Sequence, residues 1–286
     1  MNSRPQDILA RLKDVPALPT GSARILQQIQ APDADIPNLA RLIEYEAGLT
    51  ANILRLANSA YYGCSRTIGS VREAIVRLGT QRISELIVSV SVAPMIQQPL
   101  KGYDLPAGDL WIHSAAVAIA ARELQATLGV NAPDCLFTAA LLHDIGKIVL
   151  GGFVETNAES IAALVAAENL SFETAEQRVL GVDHAEVGAT LLEMWNLPPA
   201  IVEIVRWHHR PESFPGDPLA VDIVHVADVL CVNSGIGTGR DGLSYRPAEC
   251  SASRLGITVH TSETVVSRLL GGIDTLKDLF MPGTGR

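Results

Sequence analysis

Aromatic residues are scarce in this chain, at 5% of its 286 positions, whereas Ala, Val, Ile and Leu dominate a 48% apolar content. Sandwiches and barrels draw on aromatic and β-branched residues, so this balance favours helices packed by aliphatic side chains. No segment alternates convincingly with period two, which removes the strand signal as well. Basic runs are missing: 22 Lys and Arg against 31 Asp and Glu give a formal charge of -9 and a pI near 5.2. That excludes nucleic-acid binding through an overall positive field, because phosphate neutralisation needs clustered cations. The four cysteines, Cys64, Cys135, Cys231 and Cys250, include no C-x-x-C pair. Neither a disulfide framework nor a thiolate zinc site is expected, and a reducing cytoplasm fits them. The opening MNSRPQDILARLKDVPALP has no signal-like apolar stretch, and no window reaches the roughly 18 uninterrupted apolar residues of a membrane span. The closest, Ile83 to Ile96, reads as a buried helix, so a cytoplasmic all-α protein without a membrane partner is expected.

Punctuation divides the chain into helical stretches. Apolar periodicity predicts helices at Ser22 to Ile29, Ile36 to Glu44, Leu49 to Ala60, Val71 to Leu78 and Ile83 to Ala93. Pro19-Thr20-Gly21, Ala31-Pro32-Asp33, Gly48, Gly63 and Gly79 stand between them, where caps and stops belong, and Thr80 is placed to cap the helix that follows Gly79. A polar stretch, Gln97 to Gly102, marks a boundary. We expect an N-terminal helical subdomain at 1–100 and a second helical subdomain at 101–286, a multi-helix bundle. The second carries helices at Pro106 to Leu128, Asp134 to Leu150, Glu155 to Glu168, Phe172 to Leu180, His184 to Trp195, Pro198 to His209, Pro218 to Asn233 and Glu263 to Phe280. The glycine-rich Ser234 to Leu243 lacks the G-K-[ST] ending of a phosphate loop and follows no strand, so it reads as a flexible surface loop, and Pro282 to Arg286 as a disordered tail.

All seven histidines lie beyond residue 100, at 113, 143, 184, 208, 209, 225 and 260. His143-Asp144 interrupts the apolar Leu141-Leu-His-Asp-Ile-Gly-Lys147, and these two residue types suit a borderline or hard divalent cation. Burying an ionised carboxylate there costs several kcal/mol unless it is paired or coordinates a metal. His113, His184, His208-His209 and Asp228 occupy similar positions on or at the ends of apolar helices. Each has an ordinary explanation alone: a lone helical His is more often a hydrogen-bonded core residue, and His225 and His260 are placed in that class. His208-His209 could equally be a polar helix terminus favoured by the dipole. Asn58 with Tyr61 and Tyr62 could contact a partner, although Asn58-Ser59 also fits plain capping.

The motif Leu54-Arg-Leu-Ala-Asn-Ser-Ala-Tyr-Tyr-Gly63, followed by Ile68-Gly-Ser-Val-Arg-Glu-Ala-Ile-Val-Arg-Leu-Gly79, resembles the signature of HDOD domains. So does Gly188-Ala-Thr-Leu-Leu-Glu-Met-Trp-Asn-Leu-Pro-Pro-Ala-Ile-Val-Glu-Ile-Val-Arg-Trp-His-His-Arg-Pro211, and the likeness covers about 15–235. HDOD domains are related to metal-dependent HD phosphohydrolases and to HD-GYP enzymes that cleave cyclic di-GMP, and many act as non-catalytic outputs. The resemblance implies that His113, His143, Asp144 and Asp228 match the four HD ligands, with Asp144 bridging to a second ion. His184 and His208 match the extra HD-GYP ligands, and His209 a further one. No Gly-Tyr-Pro follows His184, which argues against cyclic di-GMP as substrate. Asp144 and Lys147 would be the catalytic pair of any hydrolase, Lys147 either touching a phosphate oxygen or snorkelling to solvent.

The resemblance therefore implies a signal-transduction output module that works through contacts with a sensor, receiver or regulator protein and binds divalent metal. The alternative it implies is a metal-dependent phosphohydrolase acting on a phosphate-containing small molecule such as a nucleotide. A third use of the same ligands is to pin helices together. The mixed His and Asp ligand set suits one or two ions of iron, manganese, nickel or zinc better than calcium.

Overall fold

Aliphatic side chains at helical spacing have to be buried against other helices, and the computed structural model is helical, with no strand among its described residues, 5–29, 35–59, 67–242, 245 and 248–280. The expected all-α class is what is found. The chain forms two compact units, Met1–Pro16 with Met95–Gly271, and Ala17–Pro94 with Gly272–Arg286.

The larger unit begins with α1 (Pro5–Arg11), after which the chain builds the smaller one from α2 (Thr20–Ile29), α3 (Ile36–Glu44), α4 (Ala47–Ala57) and α5 (Val71–Ile96). There α3 packs on both α2 and α4, burying Ile25, Leu39, Ile43, Ile53 and Leu56. The backbone of α5 leaves helical geometry at Gly79, with φ 82° and ψ 162°, so the two helices expected there are present as two arms, 71–78 and 80–96. Asn58 is used for capping: its Nδ2 donates to the carbonyls of Leu54 (2.8 Å) and Ile68 (2.9 Å), and its Oδ1 accepts from the Ile68 amide (2.7 Å). Tyr61, Tyr62 and the predicted helix end at Ala60 lie outside the described residues, as do Ala31-Pro32-Asp33 and the 282–286 tail.

The rest of the larger unit is α6 (Asp109–Leu128), α7 (Leu136–Leu142), α8 (Lys147–Thr156), α9 (Ala158–Glu168), α10 (Phe172–Leu180), α11 (His184–Met194), α12 (Pro199–Trp207), α13 (Leu219–Asn233), α14 (Glu249–Leu255) and α15 (Val259–Phe280). The axis is α6, where small residues in Ser114-Ala-Ala-Val-Ala-Ile-Ala-Ala121 let neighbours approach and where 113–121 are all buried. Helices α7 and α13 pack on it, α11 and α7 both pack on α12, and α8 contacts α11. Each fully buried Leu or Ile contributes about 1.5–3 kcal/mol relative to exposure.

The single helix expected from Asp134 to Leu150 is two helices. Residues 143–146 form a tight turn with i to i+3 bonds, Ile145 N to Leu142 O (3.0 Å) and Lys147 N to Asp144 O (3.0 Å). The reason is packing at Gly146, where an added Cβ would lie 2.0 Å from the His184 carbonyl oxygen and 2.6 Å from the Gly188 amide nitrogen. Leu136–Thr156, rather than Ile83–Ile96, is long and apolar enough by composition to cross a membrane, but 83% of its most apolar window is buried within the fold. It is a core segment interrupted by the turn that carries His143 and Asp144.

Candidate metal centre

Five helical stretches of the larger unit deliver the polar residues that the sequence singled out. His113 comes from α6, His143 and Asp144 from the turn between α7 and α8, and Asp228 from α13. His184 is the first residue of α11, a position fixed by Asp183, whose side chain accepts from the Glu186 amide at 2.8 Å as an N-cap. His208 and His209 follow the last turn of α12.

All seven converge. Ligand atoms of Asp144, His184, His208 and His209 lie within 4.8 Å of one another, and so do those of His113, His143 and Asp228. Asp144 faces both groups. Its Oδ2 is 3.6 Å from His113 Nε2 and 3.3 Å from His143 Nε2, and its Oδ1 is 3.2 Å from His184 Nε2 and 4.0 Å from His208 Nε2. Asp228 Oδ1 is 3.0 Å from His113 Nε2 and 3.9 Å from His143 Nε2. Separations of this size are the edges of a coordination shell with bonds of about 2.1 Å.

The histidine rings are also held from behind. Nδ1 of His113 lies 3.0 Å from the Ile236 carbonyl oxygen, that of His143 2.8 Å from Ala140 O, and that of His208 2.6 Å from Val205 O. Nδ1 of His184 lies 2.7 Å from Glu176 Oε2, which also accepts from the His184 amide at 3.0 Å. A proton on each Nδ1 leaves each Nε2 lone pair turned inward, the arrangement in which a carbonyl or carboxylate fixes the tautomer of a metal-binding imidazole. Glu176 is itself held by the Tyr103 hydroxyl, which donates to Oε1 at 2.5 Å. The N···N distance between His184 Nε2 and His209 Nε2 is 2.8 Å, short for two lone pairs unless a cation or proton lies between them.

Buried polar atoms are normally paired, and an orphan costs about 1–3 kcal/mol. Four such orphans belong to this cluster: His143 Nε2, Asp144 Oδ1, His208 Nε2 and Asp228 Oδ1 have no hydrogen-bond partner in the protein. The residues thus fit a divalent cation, and the donor set of imidazole and carboxylate suits a first-row transition ion. Burial alone would raise the Asp144 carboxyl pKa, but the neighbouring His143 and Lys147 hold it well below the usual carboxylate range. Burial and the adjacent imidazoles push His208 and His209 well below the ordinary imidazole value, which keeps their lone pairs available. For His184 burial acts in the same direction, yet Glu176 and Asp144 outweigh it and raise its basicity.

Lys147 does not snorkel. It is buried, with Nζ 2.6 Å from Asp144 Oδ2 and paired on its other side with Asp241. Asp241 belongs to the glycine-rich stretch that reads in the sequence as a surface loop. It is a loop at the surface, with Ser234, Gly235, Thr238 and Arg240 exposed, but it is also packed against the fold: Ile236 and Gly239 are buried and Arg240 N donates to Tyr103 O at 2.9 Å. Gly237 has φ 60°, and a Cβ there would lie 2.7 Å from both the Asp109 carbonyl oxygen and His113 Cβ. The loop rests on the ligand cluster, and the free space left between them is about 20 Å³, lined by Lys147, His184, His209, Asp228, Asp241 and Tyr245 among others. That is room for an ion or one water.

His225 is the hydrogen-bonded core residue expected: Nδ1 lies 2.8 Å from the His208 carbonyl oxygen and Nε2 accepts from the Ala248 amide at 2.8 Å. His260 is not in the core. It is exposed on the first turn of α15, a stretch whose buried face starts at Thr261 and Val265. Glu176, Tyr103 and Asp241 were missed by sequence reasoning. For Glu176 a signal existed, since it shares the core-facing positions of α10 with Phe172, Ala175 and Leu180.

A profile of the HDOD domain matches residues 15–211. The chain belongs to the HDOD family. A relative from Treponema pallidum (strain Nichols), an uncharacterised protein, is 27% identical over 209 residues, and this chain spans only 40% of that relative's length. An HDOD domain protein of unknown function from Geobacter sulfurreducens superposes with a TM-score of 0.71 at 29% identity, over 96% of this chain and 92% of the other. A Shewanella amazonensis SB2B protein provisionally described as a phosphohydrolase superposes with a TM-score of 0.73 at 25% identity, over 95% and 97%.

Proposed function

We propose that this HDOD protein is a cytoplasmic signal-transduction output module whose larger unit takes up a pair of divalent cations, and which passes its state to other signalling proteins through protein contacts. The observation that carries this reading is the combination of a complete ligand set with almost no room beside it. Asp144 turns one oxygen to each group of ligands, while the space over the cluster is about 20 Å³.

His113, His143 and Asp228 would hold one ion, His184, His208 and His209 the other, and Asp144 both. Bound ions would satisfy the four orphaned atoms, contribute folding free energy and supply Lewis acidity. The chain's own groups do the rest. Glu176 and the carbonyls of Ala140, Val205 and Ile236 hold the imidazoles in one tautomer, and the loop through Asp241 keeps bulk water and large ligands away.

A second reading, a metal-dependent phosphohydrolase, is favoured by one observation: Lys147 Nζ sits 2.6 Å from the shared carboxylate, where it would meet an oxygen of a phosphate ester. The structural relative in Shewanella is provisionally described as a phosphohydrolase. Elemental analysis of the purified chain, followed by assay with bis(p-nitrophenyl) phosphate and with cyclic dinucleotides, separates the readings. Two transition-metal equivalents without turnover support the output module. Metal-dependent turnover overturns it in favour of the hydrolase, and absence of metal removes the cation site from both.

A further inference from the structure

Lys147 is buried, and a buried ammonium requires an anion against it. Two carboxylates now serve: Asp144 at 2.6 Å and Asp241. Asp144 is also the residue that faces both ligand groups, and the oxygen that meets Lys147, Oδ2, is the one turned to His113 and His143, so a cation on that side draws on it. Asp241 is then the anion left for the ammonium. It does not belong to either converging ligand group, and it arrives from a loop rather than from a helix.

Beyond Gly237 the loop is packed at Gly239 but joined to the rest of the fold by few polar contacts among the described residues. Ile236 is fastened, because its carbonyl meets His113 Nδ1 at 3.0 Å and its amide donates to Cys231 O at 3.1 Å. Among the described residues, the polar contacts of 238–242 to the rest of the fold are Arg240 N to Tyr103 O, Tyr245 N to Gly242 O at 3.4 Å, the exposed Arg240–Asp104 pair at 4.0 Å, and Asp241 to Lys147. Asp241 Oδ1 is buried without a hydrogen-bond partner, so this seating leaves one carboxylate oxygen unsatisfied at a cost of about 1–3 kcal/mol. A tetrahedral oxyanion in the same place would present three or four oxygens to Lys147 and its surroundings, where Asp241 presents two.

We propose that Asp241 is an internal stopper. Its carboxylate occupies the position of an external oxyanion of the phosphate class, and such an anion binds by displacing Asp241 and lifting the 238–242 segment. The proposal rests on reading the seven residues as a cation site, and it makes that site responsive to a ligand: the module's input is an oxyanion, and the moved loop is its consequence.

The test uses the full chain and inorganic phosphate, titrated by calorimetry at pH 7.5, with metal content measured on the same samples. Asp241→Asn is expected to bind phosphate at least tenfold more tightly than wild type. Glu159→Gln, which removes an equal charge from the exposed face of α9 away from the loop, is expected to leave the affinity unchanged, and adding Lys147→Met to Asp241→Asn to abolish the gain. Equal affinity in wild type and Asp241→Asn overturns the stopper, as does an equal gain from Glu159→Gln. If Asp241→Asn fails to fold, hydrogen exchange on wild type decides: saturating phosphate must increase exchange at 238–242, and unchanged protection overturns the proposal. Absence of metal from every sample defeats the cation reading alone, since the phosphate comparison stands by itself.

Discussion

Glu176 grips residue 184 twice, its Oε2 accepting from the His184 amide at 3.0 Å and lying 2.7 Å from Nδ1 of the same ring. One carboxylate oxygen thus holds the backbone of the first residue of α11 and sets which nitrogen of its ring faces Asp144. Glu176→Gln keeps the shape and removes the charge, and outer-shell changes of this type typically weaken metal affinity about 10–100-fold. Competition with a chelator of known affinity should show that loss while circular dichroism stays helical. Wild-type affinity in the variant would mean that Glu176 does no more than hold the His184 backbone.

Asp144→Ala deletes the only described side chain that faces both ligand groups and takes one partner from buried Lys147. We expect bound metal to fall and stability to drop by about 3–5 kcal/mol, the usual result of breaking a buried pair, which is roughly 6–20 °C in Tm for a chain of this size. His260→Ala, on the exposed first turn of α15, should stay within about 0.5 kcal/mol of wild type. Unchanged metal content in Asp144→Ala would dismiss the cation site.

The pH response of folding should carry a mark of His225. Burial lowers its pKa from the ordinary imidazole value, and Nε2 already accepts from the Ala248 amide, so a second ring proton would oppose that N–H. The folded form then binds fewer protons than the unfolded chain. Stability is fully present above the unfolded value near 6.5 and is lost as pH falls below it. His225→Gln can keep both hydrogen bonds without titrating. Urea unfolding between pH 7.5 and 5 should show a slope shallower by up to one proton, about 1.4 kcal/mol per pH unit, and parallel curves would sink the assignment.

Two glycines on one loop allow strain to be told from collision. Gly235 and Gly237 both have positive φ, 70° and 60°, but a Cβ at 235 meets nothing within 4 Å whereas one at 237 meets Asp109 O and His113 Cβ at 2.7 Å. Gly235→Ala should cost about 1–2 kcal/mol of backbone strain and keep metal affinity. Gly237→Ala should cost more and also weaken metal binding, because it shifts the Ile236 carbonyl that steadies His113. Equal metal affinity in the two variants would refute that link.

Much of the site was legible because its chemistry is foreign to its surroundings. A histidine or aspartate inside an aliphatic helix stands out, and all seven such residues singled out as ligands converge. Their supports were harder to read. Asp241 lies among glycines with no periodicity to give it a side, and only the path of the loop brings it to Lys147. Helices α1 and α14, seven residues each, are too short to show a repeating apolar face. The break at 143–146 escaped notice because the apolar run continues across it, and what interrupts the helix is a neighbour distant in sequence. His260 was misplaced for the opposite reason, since nothing in its immediate sequence tells which side of α15 turns outward.

The contact at Gly146 reaches beyond this chain. Since the turn before α8 and the start of α11 meet there main chain to main chain, that contact sets how closely the backbones carrying Asp144 and His184 approach. A relative could retain every imidazole and carboxylate and still, with alanine at the equivalent of 146, hold its two halves too far apart to share one aspartate. On the proposed two-cation reading, such a protein would hold a single ion despite a full complement of ligands, and one hydrogen atom on an α-carbon, rather than the tally of histidines, would set the number.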